Sequence, residues 1–299
     1  MAAQEVTLVG ADGRLGPAML DELLASGKFQ VCVLKRASSK SKSQYHPSVR
    51  VVRVSDDFPV DEVADALKGQ DALVVTITPY LTELQKRLAD AAVKAGVKHF
   101  IPADFGSCDS RDKNVCELAP LYGRKTGVRE YLQTLSTNSS HGFFWTSLVC
   151  GHFFNKDLQW KHIFLEAGRA DVFGDGELRA SASTLKQIGT ATAKVLEMGA
   201  AEQTRNKVLF IQSFCVSQNQ VIAAIERSAG VQLKVESLDV QKFIDQWKPK
   251  SDAGDPEGAE ELIWALGTLY SNWEERELSN SLLGLSEESL DEVVTEILS

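Results

Sequence analysis

Apolar residues arrive first in short runs and then, a few residues on, at helical spacing, and the two patterns alternate through the first half of the chain. Val6, Leu8 and Val9 predict a short buried strand, and Ala18, Met19, Leu20, Leu23 and Leu24 a helix after it. A second strand is expected over Gln30 to Leu34, with Lys35 and Arg36 at its end, and a third over Val49 to Val54. Val63, Ala66 and Leu67 mark the next amphipathic helix. Asp71 to Thr78, DALVVTIT, is an apolar strand ending in hydroxyls, the pattern of a parallel strand covered on both faces. Leu81 to Ala95 predicts a long helix stopped by Gly96, and Lys98 to Pro102 the next strand. A long polar loop, Ala103 to Glu117, leads to a helix from about Leu118 to Ser136 and a strand over Phe143 to Leu148. This alternation predicts an α/β fold built from right-handed βαβ units, a doubly wound parallel sheet.

Beyond Val149 the rhythm changes. GHFFNKDLQWKHIFLEAG, from Gly151 to Gly168, gathers Phe153, Phe154, Leu158, Trp160, Ile163 and Phe164. Such a stretch is either a core helix or the wall of a pocket for a flat apolar molecule. On the second reading Gly151, His152, Phe153, Phe154 and Trp160, with Phe105, contact the substrate. FGDGE (Phe173 to Glu177) reads as a turn, while Leu185 to Met198 and Lys207 to Ile211 look like a return to the sheet. A strand over Gln232 to Glu236, an exposed loop over Lys248 to Gly258 and an acidic helix over Glu287 to Leu298 complete the chain. Residues 1–150, with the return at about 182–213, are therefore expected to form a dinucleotide-binding domain. Residues 151–181 and 214–299 are expected to form a smaller C-terminal α/β substrate lobe.

Composition narrows the partners. A formal charge of −9 over 299 residues disfavours general affinity for nucleic acid or an anionic membrane. No apolar run approaches the ~18 residues that cross a bilayer, and MAAQEV carries no leader pattern, so a cytoplasmic protein is expected. Five cysteines without a CxxC pair read as reduced structural thiols, and five histidines show no metal-ligand spacing, so no metal is expected. A monomer or homodimer with a small aromatic substrate is the expected state.

The candidate chemistry starts at EVTLVGADGRLGP, Glu5 to Pro17. Strand, glycine turn and helix start present free backbone N–H groups to a phosphate. Gly10 would make the turn, Gly13 would let a pyrophosphate approach, and Gly16 would let the helix pack closely. Asp12, Arg14 and Leu15 share this loop. About 20 residues on, where an acidic side chain would hold the ribose of NAD, the chain offers Arg36, Lys40 and Lys42 among serines, which suits the 2′-phosphate of NADP(H). Thr76, Thr78 and Pro79, and then Ala103 and Phe105, stand at carboxyl ends of strands, where ligands of open α/β sheets bind. Tyr122, Lys125 and Arg129, spaced three and four apart, share one helix face. Lys125 beside a nicotinamide is both a cofactor contact and a candidate acid–base group.

These residues, in this order, resemble the NmrA-like and isoflavone reductase-like branch of the atypical short-chain dehydrogenases. The likeness rests on the GxxGxxG loop, Arg36, HFIPADFG (His99 to Gly106), Lys125-x-x-Val128-Arg129, GHFF (Gly151 to Phe154), FGDGE, LKQIGTAT (Leu185 to Thr192) and LLGLSEESLDEV near the end. The resemblance implies a modified Rossmann fold and NADPH as hydride donor. It also implies Lys125 as the acid–base residue toward a phenolic or quinonoid substrate. Three positions depart from the pattern. Leu121 stands where short-chain dehydrogenases proper carry tyrosine, Ala103 stands where they carry serine, and Asp12 puts an acid in the phosphate loop with Arg14 as its expected counter-charge. Two other function classes share the fold: a dinucleotide-sensing regulator without catalysis, and a non-redox dehydratase or cyclase that keeps the lysine.

Overall fold

The computed structural model describes residues 4–274 and 276–299. In chain order the elements begin β1 (Gln4–Val9), α1 (Gly16–Ala25), β2 (Phe29–Arg36), β3 (Arg50–Val54), α2 (Val60–Ala66), β4 (Ala72–Val75), α3 (Thr82–Ala95) and β5 (His99–Ile101). They continue α4 (Lys113–Leu118), α5 (Pro120–Asn138), β6 (Phe144–Val149), β7 (His152–Phe154), β8 (Ile163–Phe164), β9 (Arg169–Phe173), β10 (Arg179–Thr184) and α6 (Leu185–Met198). The last are β11 (Lys207–Phe210), β12 (Phe214–Ser217), α7 (Gln218–Ala229), β13 (Lys234–Leu238), α8 (Val240–Asp252), α9 (Pro256–Tyr270), α10 (Asn280–Leu283) and α11 (Leu290–Leu298).

The chain divides into two compact units. One comprises the chain up to Phe105, Arg124–Leu148 and Ile188–Leu209; the other comprises Gly106–Gly123, Val149–Gln187 and Phe210–Ser299. The first unit is built on a sheet in the order β11-β6-β5-β4-β1-β2-β3, seven strands among the described residues. From β3 to β6 every recorded pairing is parallel. This is the doubly wound, Rossmann-type arrangement that the alternation predicts. Each residue of β4 is fully buried, because helices cover both faces. Leu34, Leu67, Leu73, Leu88 and Leu132 pack in one apolar cluster of this unit, and each buried side chain contributes about 1.5–3 kcal/mol. Gly96 ends α3 in the left-handed region, φ 82°, where a side chain would be strained. The order reverses at β1, which lies between β4 and β2, so the crevice of this sheet opens at the carboxyl ends of β1 and β4. At the far side β3 is the edge strand, its pattern mostly exposed.

The second unit holds two three-stranded sheets among the described residues, β12-β10-β7 and β13-β9-β8. Phe154, Ile163, Ala182, Phe214 and Ile225 anchor one core cluster, and Phe173, Phe243 and Trp264 another.

Several expectations need correction. The strand read as ending at Thr78 stops at Val75, and Thr76 onward is loop. The polar stretch after β5 is not a plain surface loop. It contains α4, capped by Asp112; Ser110 is fully buried, and Cys108 and Val115 are fully buried in one cluster with Ala119, Tyr122 and Leu266. The aromatic stretch after Gly151 is two strands with 3-10 turns, not a helix. Lys248 to Gly258 is mostly helical, with Pro249 in the last turn of α8 and Pro256 in the first turn of α9. Proline fits a first turn, where its missing N–H has no intrahelical acceptor. Among the described residues no helix is long and apolar enough to cross a membrane.

Candidate functional site

The glycine loop is a cradle that side chains would fill. Gly10 has φ 94°, and a Cβ there would lie 2.8 Å from the Thr76 carbonyl. A Cβ at Gly16 would overlap the Gly10 and Ala11 backbone, which leaves glycine as the residue that lets α1 start against the turn. Gly13 donates its N–H to Gly10 O at 2.9 Å and closes the turn. Leu15, at the N-cap of α1, offers no side-chain hydrogen bond, and Pro17 follows, so the helix N-terminus is left without a capping side chain. Thr76 is tied to the same edge: its N–H and Oγ1 both donate to Val9 O, at 2.8 and 3.1 Å. Thr78 is exposed and Pro79 half-buried on the same loop. This cradle fits a dinucleotide pyrophosphate, which would take its hydrogen bonds from backbone N–H groups.

Beside it, the end of β2 carries charge in a different arrangement from the expected one. Arg36, Lys40 and Lys42 are exposed. Arg53 of β3 donates to the carbonyls of Arg36, Ala37 and Ser39, at 3.1, 3.2 and 3.4 Å, and so shapes the turn that presents Arg36. Asp12 is paired with Lys35, which the sequence does not single out as its counter-charge, Nζ to Oδ2 2.7 Å. Tyr45 closes the set. Its hydroxyl donates to Asp12 Oδ1 at 2.6 Å and accepts from Lys35 Nζ at 3.0 Å. Burial pushes the Asp12 carboxyl up, but hydrogen bonds from Lys35 and Tyr45, then Ser43 and Ser41, outweigh it and hold the group well below the carboxylate range.

At the carboxyl end of β5, Asp104 is a buried hub. Its main-chain oxygen accepts from Lys125 Nζ at 2.6 Å, and its Oδ1 lies 3.9 Å from the same ammonium. Its Oδ2 accepts from Arg129 Nε at 2.5 Å and from the Ser147 hydroxyl. Lys125, Arg129 and Asp104 are 7, 5 and 5% exposed. Ala103 is fixed through its N–H to Gln85 Oε1 at 3.0 Å, and Phe105, buried, takes a left-handed φ of 34°. So Lys125 and Arg129 meet at one carboxylate in the first unit. Tyr122 is engaged within the second unit, where its hydroxyl lies 2.6 Å from Ser107 Oγ in the Cys108–Leu266 cluster. Lys35, Tyr45, Arg53, Asp104 and Ser147 have no assigned role in the sequence reading. Lys35 and Asp104 are neighbours of residues that have one, Arg36 for the first and Ala103 and Phe105 for the second.

In the second unit a half-open pocket of ≈ 60 Å³ is walled by Phe154, Ile163, Ala182, Val216 and Trp264, with His152 and Lys161 at its polar edge. Gly151, φ 69°, brings β7 against β10 so closely that a Cβ would overlap Ser181 O. His152 lies flat over Gly267, where a Cβ would strike the imidazole. Burial, with a smaller push from Lys161, lowers its pKa to about 4, so the ring is neutral at physiological pH. Phe154 stands edge-on to Phe214, centroids 5.0 Å apart, and Phe153 is half-buried. The expectation for Trp160 concerns a side chain outside the described residues.

A model of the NmrA-like family matches residues 2–262. The chain belongs to the NmrA-like family. Among its family relatives, the oxidoreductase aprR of Aspergillus flavus is 34% identical over 98% of this chain and 98% of that one. The bifunctional pinoresinol-lariciresinol reductase 2 of Linum usitatissimum is 27% identical over 83% of this chain and 78% of its own. Of solved structures, AtPrR2 with NADP+ and (+)pinoresinol superposes with a TM-score of 0.77 at 17% identity, covering 99% of both chains. That likeness establishes the fold for this NmrA-like chain.

Proposed function

We propose that this protein is an NADPH-dependent oxidoreductase of a small aromatic substrate, in which the first unit binds the dinucleotide and Lys125 is the acid–base group. The observation that carries the reading is the placement of Lys125. Its ammonium is buried at the carboxyl end of β5, two strands along the sheet from β1, which leads into the glycine cradle. NADPH, when bound, supplies the hydride; the protein supplies position and charge. Gly10, Gly13, Gly16 and the start of α1 would hold the pyrophosphate, and Arg36, with Lys40 and Lys42, the 2′-phosphate. Thr76, Thr78 and Pro79, and then Ala103 and Phe105, would line the path toward the nicotinamide end.

Lys125 would move a proton at Nζ, giving it to a developing oxyanion or taking it from a phenol. Asp104 holds that amine at the strand end through its main-chain oxygen, while Arg129 fixes its carboxylate. Neutral His152 and the aromatic walls of the second unit suit an uncharged ring. The names of the relatives support the same reading: an oxidoreductase at 34% identity, and reductases of pinoresinol at greater distance.

The test follows reduced-nicotinamide absorbance with phenolic and quinonoid substrates, for wild type and Lys125→Met. Turnover is expected in wild type, and a loss of about a thousandfold in kcat in the variant, the scale of a removed general acid. Undiminished turnover in Lys125→Met would take Lys125 out of the chemistry. Tight dinucleotide binding without turnover on any substrate would point instead to a sensing role.

A further inference from the structure

The glycine loop contains an acid that has no counterpart in the job of cradling phosphate. Asp12 is 27% exposed at its side chain, one turn position from Gly13, and its carboxylate is a liability wherever a second anion must settle. Lys35, the penultimate residue of β2, is 9% exposed, and its ammonium is held at 2.7 Å by that carboxylate. Tyr45, from the segment after β2, hydrogen-bonds both partners, and Lys35 also lies 5.1 Å from the centre of its ring. Asp12, Lys35 and Tyr45 thus form a closed set that joins the phosphate loop to the segment bearing Lys40 and Lys42. The end of β2 is where an adenosine ribose lies in this fold. The buried cation next to the end of β2 is therefore paired with an anion from the neighbouring loop, and Arg36 is the exposed strand-end charge.

We propose that Asp12 is a cofactor-specificity residue: its ion pair with Lys35 restrains the preference for a 2′-phosphorylated over an unphosphorylated dinucleotide. The proposal rests on the dinucleotide reading above. The carboxylate repels the extra phosphate directly and withholds the Lys35 charge from it. Both effects act on the 2′-phosphate more than on the pyrophosphate, which takes its hydrogen bonds from backbone N–H groups.

Dissociation constants for NADPH and NADH decide the matter without any turnover, measured by quenching of protein fluorescence. Asp12→Asn is expected to tighten NADPH about tenfold and NADH no more than about twofold, the scale of one charge-assisted contact. Adding Lys35→Met to that variant should return the NADPH to NADH ratio to the wild-type value. Lys35→Met alone leaves the carboxylate uncompensated, and should lower the preference for NADPH over NADH below that of wild type, so the ratio of the NADPH to the NADH dissociation constant rises. An equal gain for both dinucleotides in Asp12→Asn, or a gain that survives Lys35→Met, overturns the proposal. If Asp12→Asn does not fold, judged by its thermal unfolding, Lys35→Met carries the test, and an unchanged ratio there overturns the proposal. A wild-type protein that binds neither dinucleotide overturns the cofactor reading itself, a separate result.

Discussion

Asp104 accepts three donors with one residue: Lys125 on its main-chain oxygen, and Arg129 and Ser147 on Oδ2. A buried carboxylate is tolerated here because a guanidinium faces it, and the pair is worth little beyond its own desolvation while intact. Removing one side is another matter. Asp104→Asn keeps the shape and the carbonyl for Lys125, yet it removes the buried carboxylate charge that faces Arg129. The expected loss is about 3 kcal/mol in equilibrium urea unfolding, with Ser147→Ala costing about 1 kcal/mol as a neutral-donor comparison. Residue-level geometry of this kind is the least legible in a sequence. ADFG shows an acid at a strand end, but not that Arg129, twenty-five positions later, folds back onto it. Lys35 was hidden for a related reason: in an alternating strand, neighbours face opposite ways, so Lys35 turns in toward Asp12 while Arg36 stays exposed.

The elements of the first unit were legible because each strand is short, apolar and followed by helical spacing. β1, β2, β3, β5 and α3 fall within a residue or two of the expected bounds. The misread elements are those whose polar residues are used internally. In α4, Asp112 accepts from the N–H groups of Asn114 and Val115, at 2.9 and 3.3 Å, and turns a charged stretch into a capped helix over a buried Val115. Lys248 to Gly258 looked like a linker because it is polar and carries two prolines. Pro256 sits in a first turn, where helices accept proline, and Asp255 caps α9 through Gly258 N at 3.2 Å, while Pro249 lies within the last turn of α8. The capping role of Asp112 is testable: Asp112→Ala should cost about 1 kcal/mol. The measurement is amide hydrogen exchange, which should speed up at Asn114 and Val115 and leave β4 unchanged.

At the scale of the molecule, acid stability should follow two histidines, one in each unit. Burial lowers the pKa of His99 to about 3, and burial plus Lys161 lowers that of His152 to about 4. Both folded values lie below the ordinary histidine value of 6.5. The unfolded chain therefore binds protons that the folded chain refuses. The stability from each neutral ring is whole above pH 6.5 and falls as pH drops toward the folded value, by on the order of 3 kcal/mol per histidine. Unfolding midpoints taken between pH 7 and about 4 should decline steadily, and His99→Gln, if it folds, should flatten part of the slope.

The edge strand β3 has its own effect on how the molecule behaves in company. Its outer residues read Arg50, Val51, Val52 and Arg53, after Val49, and Val51 is 43% exposed. The open side of such a strand offers unpaired peptide groups to another chain, and a cationic side chain there discourages pairing. Arg50→Val would produce four consecutive valines along that margin. Concentration-dependent light scattering should rise in the variant while its circular dichroism stays native, the outcome expected of an arginine that discourages edge-to-edge pairing of separate copies.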